Sequence, residues 1–132
     1  MMVKTFINEI LNLKDGEEMK TLVATIGVGK GTWGHIGRLM QEDWDKIILI
    51  SNEWSKEKFT HEKHIEWIII NPRTGIESIA QQIEKKLEEL GEIHINIISG
   101  SGKEHMALLI ALKNKNLDYK LCVLTKDGVK AV

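Results

Sequence analysis

After its first residue, the segment Lys46 to Ile50 (Lys-Ile-Ile-Leu-Ile) carries only apolar side chains. A strand with one wet face alternates apolar and polar residues. A continuous run of this kind belongs instead to a sheet covered on both faces. Three other short runs read as strands: Lys20 to Ile26, rich in β-branched residues, residues 65–70 (Ile-Glu-Trp-Ile-Ile-Ile, halted by Asn71-Pro72), and residues 92–98. Between the runs, apolar residues recur at helical spacing. Trp33, Ile36, Leu39 and Met40 mark one helix, with Thr32 as its expected N-cap. Ile76, Ile79, Ala80, Ile83, Leu87 and Leu90 mark a second, predicted over Gly75 to Leu90 with Gly91 as its stop. A third runs from about Gly102 to Lys115. Asp118 to Thr125 is a further strand, and Lys126-Asp127-Gly128 turns the chain into a last one at Val129 to Val132. Ser51 to Lys63 reads as either a short helix or a mobile loop.

Strands alternating with helices over short connections predict an α/β fold. The expected form is a Rossmann-like, doubly wound, mostly parallel six-stranded sheet, with helices on both faces and a C-terminal antiparallel hairpin. Residues 1–18 read as a leading amphipathic helix and turn (Val3, Phe6, Ile7, Ile10 and Leu11 at helical spacing, ended near Asp15-Gly16), and 19–132 as one domain. The length of 132 residues suits a single hydrophobic core.

A net charge of -1 gives no overall electrostatic footprint for duplex nucleic acid or an anionic membrane. No apolar run approaches the roughly 20 residues of a membrane span. Met1 to Ile10 lacks the apolar core of a secretory signal, and the single Cys122 cannot form an intrachain disulfide. The expected location is therefore the cytoplasm. His61 and His64 share a face if their segment is helical, but no third ligand is nearby, so no metal is expected.

In a doubly wound sheet the strand order reverses between the first and fourth strands, and ligands bind outside the carboxyl ends there. The loops that would meet at that reversal are Gly27-Val28-Gly29-Lys30-Gly31-Thr32 and Ser99-Gly100-Ser101-Gly102. Each leads into a helix N-terminus, where free N–H groups favour anions. Lys30 and Lys103 add positive charge, and Thr32, Ser99 and Ser101 add hydroxyls. The layout predicts a phosphate-binding crevice. Lys103 stands out because cations prefer the other end of a helix. Ser51 and Asn52, at the end of the second strand, border the same edge. Trp33 and His105 flank the loops. Trp54 is the expected base-stacking indole, whereas Trp67 alternates within a strand and is expected in the core. His94 and Asn96, on one strand face, are expected as an interior hydrogen-bonded pair or a partner contact.

Two nucleotide motifs compete for the first loop. Gly29-Lys30-Gly31-Thr32-Trp33-Gly34 satisfies the dinucleotide pattern G-x-G-x-x-G, with Glu53 as its acidic ribose partner. Ala24 to Thr32 resembles the phosphate loop of adenylate kinases. A different resemblance takes in both loops. Ile95 to Met106 (INIISGSGKEHM) resembles the pattern of CARF domains, the CRISPR-associated Rossmann fold: an Asn on a strand, then Thr/Ser-Gly-Gly-Thr-Lys, then a Met-bearing helix. Ser101-Gly102 stands in place of Gly-Thr, and His105 is one additional residue. Met19 to Thr32 resembles the opening strand and loop of the same domains, and the closing hairpin at Thr125 to Gly128 is similar too.

That resemblance implies a homodimer that binds cyclic oligoadenylate, most simply cyclic tetra-adenylate, on its two-fold axis. It implies either a ring nuclease, which cleaves the ring by attack of a ribose 2′-OH without metal or cofactor, or a non-catalytic sensor or regulator. In the nuclease, Lys103 is the expected charge-stabilising cation, with Lys30, Thr32 and Ser99 orienting ribose or phosphate. The remaining alternative is a domain binding NAD or ATP through the first loop.

Overall fold

The computed structural model describes residues 19–132. The leading helix and turn predicted for 1–18 lie outside the described residues. Six strands, β1 (Lys20–Thr25), β2 (Lys46–Ser51), β3 (Glu66–Ile69), β4 (Glu92–Asn96), β5 (Lys120–Thr125) and β6 (Gly128–Ala131), form one sheet in the order β3-β2-β1-β4-β5-β6. All neighbours are parallel except the β5–β6 hairpin. This is the doubly wound order with its reversal between β1 and β4. Four α-helices, α1 (Trp33–Leu39), α2 (Glu53–Lys58), α3 (Ile76–Glu84) and α4 (Gly102–Asn114), connect the strands.

Alternation within each central strand divides the core into two layers. Val23, Ile48, Ile50, Ile68, Ile93 and Ile95 pack with Ile79, Ile83, Leu108 and Leu112 of α3 and α4. Leu22, Ala24, Ile47 and Leu49 point the other way and pack with Ile36 and Leu39 of α1 and with Phe59. Trp67 packs, partly buried, against that second layer. Both faces of β1 and β2 are thus dry, as the unbroken apolar run of β2 requires.

Several boundaries differ from those predicted. β4 ends at Asn96, not at 98, because the Asn96 side chain takes over the backbone pairing. Its Nδ2 donates to the Cys122 carbonyl (2.8 Å) and its Oδ1 accepts from the Ile98 N–H (3.0 Å). α3 stops at Glu84, short of the predicted Leu90, although Leu87 and Leu90 are still buried. Past Glu84 the chain tightens to i→i+3 bonds, Lys86 N–H to the Ile83 carbonyl (2.9 Å) and Leu87 N–H to the Glu84 carbonyl (3.3 Å), and Lys115 Nζ donates to the carbonyls of Glu84 (3.1 Å) and Leu87 (2.7 Å) at this end. Gly91, at φ +64, opens β4 instead of closing a helix, and a Cβ there would lie 2.1 Å from the Met19 carbonyl oxygen. The segment 51–63 resolves as helix α2. Asn52 is its N-cap and accepts from the Ser55 N–H (2.8 Å). His61 and His64 fall in the turns beyond it, so they share no helical face, and His61 Nε2 sits 3.2 Å from the Gly37 carbonyl.

His94 and Asn96 are both interior but do not bond each other. His94 is buried with its ring edge against Trp44 (centroids 5.2 Å apart), and its Nε2 makes no hydrogen bond. Burial lowers its pKa below the ordinary 6.5. The Glu92 carboxylate, 3.5 Å away, opposes that shift, while Lys20 and Lys120 reinforce it. A lowered folded pKa makes neutral His94 the form that folding prefers. Its contribution to stability is full above about pH 6.5 and is lost as pH falls through that value toward the folded one. Glu92, held down chiefly by its hydrogen bond to Lys120, loses its contribution only at lower pH, below 4.5. Urea unfolding followed from pH 7.5 to 5 should therefore show a fall in stability, and His94→Gln should flatten it. An unchanged slope in that variant would remove His94 as the cause.

Candidate ligand-binding cleft

The loops after β1 and β4 cross at a pair of glycines. A Cβ on Gly27 would lie 2.7 Å from both the Cα and the N of Gly100, so only glycine allows this backbone approach. Gly100 is at φ +97, and a Cβ there would meet the Glu104 carboxylate at 2.5 Å. Ser99 clasps the crossing. Its Oγ accepts from the Gly27 N–H (2.9 Å), while its carbonyl accepts from the Thr25 hydroxyl and lies 2.7 Å from His105 Nε2. At 2 % exposure, Ser99 holds the two loops together from inside the crossing.

Above the crossing lies a cleft of about 430 Å³. Gly27, Val28, Gly29, Thr32, Asn52, Ser99, Gly100 and Ser101 of the predicted residues line it. Pro72, Ile98 and Glu104, which the sequence reading missed, complete the wall. Pro72 had registered only as a strand stop, yet a stop at the carboxyl edge of β3 is a position beside the crevice. Glu104 had a usable signal: Ser101-Gly102-Lys103-Glu104 is a capping-box sequence. Its carboxylate accepts from the Ser101 N–H (2.8 Å).

That contact corrects one expectation, because a protein carboxylate already sits at the first turn of α4 where an external anion was expected. A second correction concerns Thr32. A 3-10 turn, Lys30–Thr32, precedes α1, and the Thr32 hydroxyl donates to the Gly29 carbonyl (3.3 Å) without capping the helix. A third concerns Ser51. It is fully buried and donates to the Ile26 carbonyl, so it ties β2 to β1 behind the cleft and presents nothing to a ligand.

The other predicted residues stand around the opening. Trp33 Nε1 donates to the Gly27 carbonyl (2.8 Å), which ties α1 to the loop. The rings of Trp33 and Trp54 are 6.1 Å apart, and Lys30 Nζ lies 5.6 Å from the centroid of each. That arrangement holds the ammonium by cation–π attraction. Gly31 is exposed with open space on its Cβ side. Lys103 Nζ donates to the Pro72 carbonyl (2.8 Å), bridging α4 to the loop after β3. Gly102 begins α4, and His105 stands behind Ser99.

A second cleft of about 570 Å³ adjoins the first, sharing Asn52 and Pro72. Its other lining residues include Trp54, Ile69, Ile70, Asn71 and Gln82. Among the described residues there is no cluster of three or more His, Cys, Asp or Glu side chains able to hold a metal ion. No described helix is long and apolar enough to cross a membrane.

No family model matches this chain, and no curated protein matches it. Among solved structures it is similar to Enterococcus italicus Csm6 bound to cyclic hexa-2′-fluoro-hexa-dAMP, with 15% sequence identity and a TM-score of 0.48. The similarity covers 82% of this chain and 34% of that one, so the chain spans about a third of that protein's length.

The glycine crossing is directly testable by unfolding. Gly27→Ala and Gly100→Ala should each cost about 1–3 kcal/mol in urea, the usual range for forcing a methyl group into filled space. Gly29→Ala, at φ -75 with nothing within 4 Å of its Cβ position, should stay within about 0.5 kcal/mol of the parent. Equal effects at all three sites would mean that the loops do not cross as described.

Proposed function

We propose that the chain binds cyclic oligoadenylate, with a ring of four adenylates as the preferred size, at the carboxyl-edge cleft of two paired copies. The observation that carries this reading is the convergence of the β1 and β4 loops, Gly27 against Gly100, beneath a 430 Å³ cleft at the reversal of strand order. Those are the same two loops that carry the CARF resemblance. A four-membered ring has two-fold symmetry and suits an isologous pair. Val28 and Ile98, each half or more exposed, line the cleft and offer apolar surface that a second copy would cover.

In the cleaving form of this proposal, a ribose 2′-OH attacks the adjacent phosphate, leaving cyclic 2′,3′-phosphate and 5′-hydroxyl ends. The protein's part is to hold the in-line geometry and to stabilise charge on the phosphate. Lys103 is the stabilising cation: it reaches the rim at Pro72 and needs only to exchange a carbonyl for a phosphate oxygen. A binding-only module is the second reading. It is favoured by the engagement of Ser99, His105 and Lys103 with protein groups.

Incubation with cyclic tetra-adenylate in EDTA separates the two. Linear products are expected, and Lys103→Ala should lower the rate by about 10²–10³-fold, the range for loss of one stabilising donor, with a smaller effect on affinity. Binding without products would leave the sensor form standing. Absence of binding, together with a rise in melting temperature on adding NAD or ATP, would replace the proposal with the dinucleotide or kinase-like alternative.

A further inference from the structure

The second cleft has a composition that the phosphate loops do not explain. Its floor is Ile69 and Ile70 at the end of β3, and its walls are Trp54 and Pro72. It is large enough for a planar heterocycle, and an apolar cavity with a few polar groups is the usual form of a small-ligand pocket. Three carboxamides, Asn52, Asn71 and Gln82, and one carboxylate, Glu53, border it. Asn52 Oδ1 accepts from the Ser55 N–H (2.8 Å), and Asn71 Oδ1 accepts from the Arg73 N–H (3.0 Å). Both asparagines therefore offer the cleft mainly donors. Gln82, on α3 and only partly buried, has both its carbonyl oxygen and its amide nitrogen free of hydrogen bonds to the described residues.

We propose that this cleft is an adenine pocket in which Trp54 stacks on the base and Gln82 reads it. The inference rests on the cyclic-oligoadenylate reading above and adds the residues that choose the base. A free planar amide presents an acceptor and a donor side by side. Adenine matches it with its N6 amine and its N7 acceptor. On the same edge guanine presents two acceptors, O6 and N7, so the Gln82 oxygen would face an acceptor and the guanine would be rejected. Trp54 is 42% exposed, so its indole is accessible to a base, with Lys30 over the ring as a displaceable neighbour. Trp33 supports it from behind and is itself fixed by its bond to the Gly27 carbonyl. Because the two clefts share Asn52 and Pro72, a base in this pocket places its phosphate toward the glycine crossing. Lys30 Nζ, 5.6 Å from the ring centroids of Trp33 and Trp54, adds a positive charge beside the stacking indole.

The test compares cyclic tetra-adenylate with its 7-deaza-adenine counterpart, in which a C–H replaces the N7 acceptor. The wild-type protein should bind the deaza ring about tenfold or more weakly, the range for loss of bidentate base recognition. Gln82→Met keeps the length and removes the amide, so it should bind both rings equally, at the weaker level. Trp54→Ala should weaken both rings by about tenfold, with partial recovery in Trp54→Phe. Equal binding of the two rings by the wild-type protein, or discrimination that survives in Gln82→Met, would overturn the pocket while leaving ring binding intact. Adenosine 5′-monophosphate at millimolar concentration provides a probe that does not depend on the ring. In two-dimensional NMR spectra it should shift the Gln82 side-chain amide and the Trp54 indole N–H. Those shifts without ring binding would keep the pocket and sink the cyclic-oligoadenylate reading, and shifts elsewhere or none would sink the pocket.

Discussion

Everything at the carboxyl edge depends on one backbone contact, the passage of Gly27 over Gly100. A parallel sheet wound in both directions leaves a gap where its strand order reverses. In this chain the gap is closed from below by two glycines whose backbones approach more nearly than any side chain allows. The clasp around them uses backbone and hydroxyl groups: Ser99 to Gly27, Thr25 to Ser99, and Trp33 to the Gly27 carbonyl. These bonds satisfy polar groups that would otherwise be buried without partners. They also fix the height of the cleft floor, so the residues that meet a ligand are set by the fold itself.

The two ends of the sheet divide the work. At the amino end, His94 against Trp44, Lys20 over Trp44 and Lys120 on Glu92 form a packed, charged cluster. It holds β4 and β5 in place. At the carboxyl end, strands finish early and side chains replace ladder bonds. Asn96 ends β4 and Asn52 starts α2, and each uses a carboxamide to release the chain from the sheet. Early release leaves room for two joined clefts along that edge.

The architecture was legible because its signals are local. The unbroken apolar run of Lys46 to Ile50 marks a strand dry on both faces, helical periods mark what covers the sheet, and the alternation of strands and helices points to the winding and to the meeting of the two loops. What was not legible depended on contacts between distant parts of the chain. α3 ends at Glu84, where Lys115, 31 residues away, donates to its carbonyl. Ser51 looked like a crevice residue by its place after β2, but its hydroxyl turns inward to Ile26. Glu104 was the one miss with a local signature, and it changes the electrostatics of the cleft by placing a carboxylate where an anion site was expected. Gln82 sits in a helix whose periodic pattern gave it no role. Only the packing of α3 beside β3 brings it to a cleft.

The central claim is that the β1 and β4 loops together form the ligand site, and amide hydrogen exchange with and without cyclic tetra-adenylate tests it most directly. The expected result is slowed exchange confined to the backbone around Gly27 to Thr32 and Ile98 to Glu104, with the amino-end residues around His94 unchanged. Protection of only one loop, or protection centred on the amino end of the sheet, would contradict it.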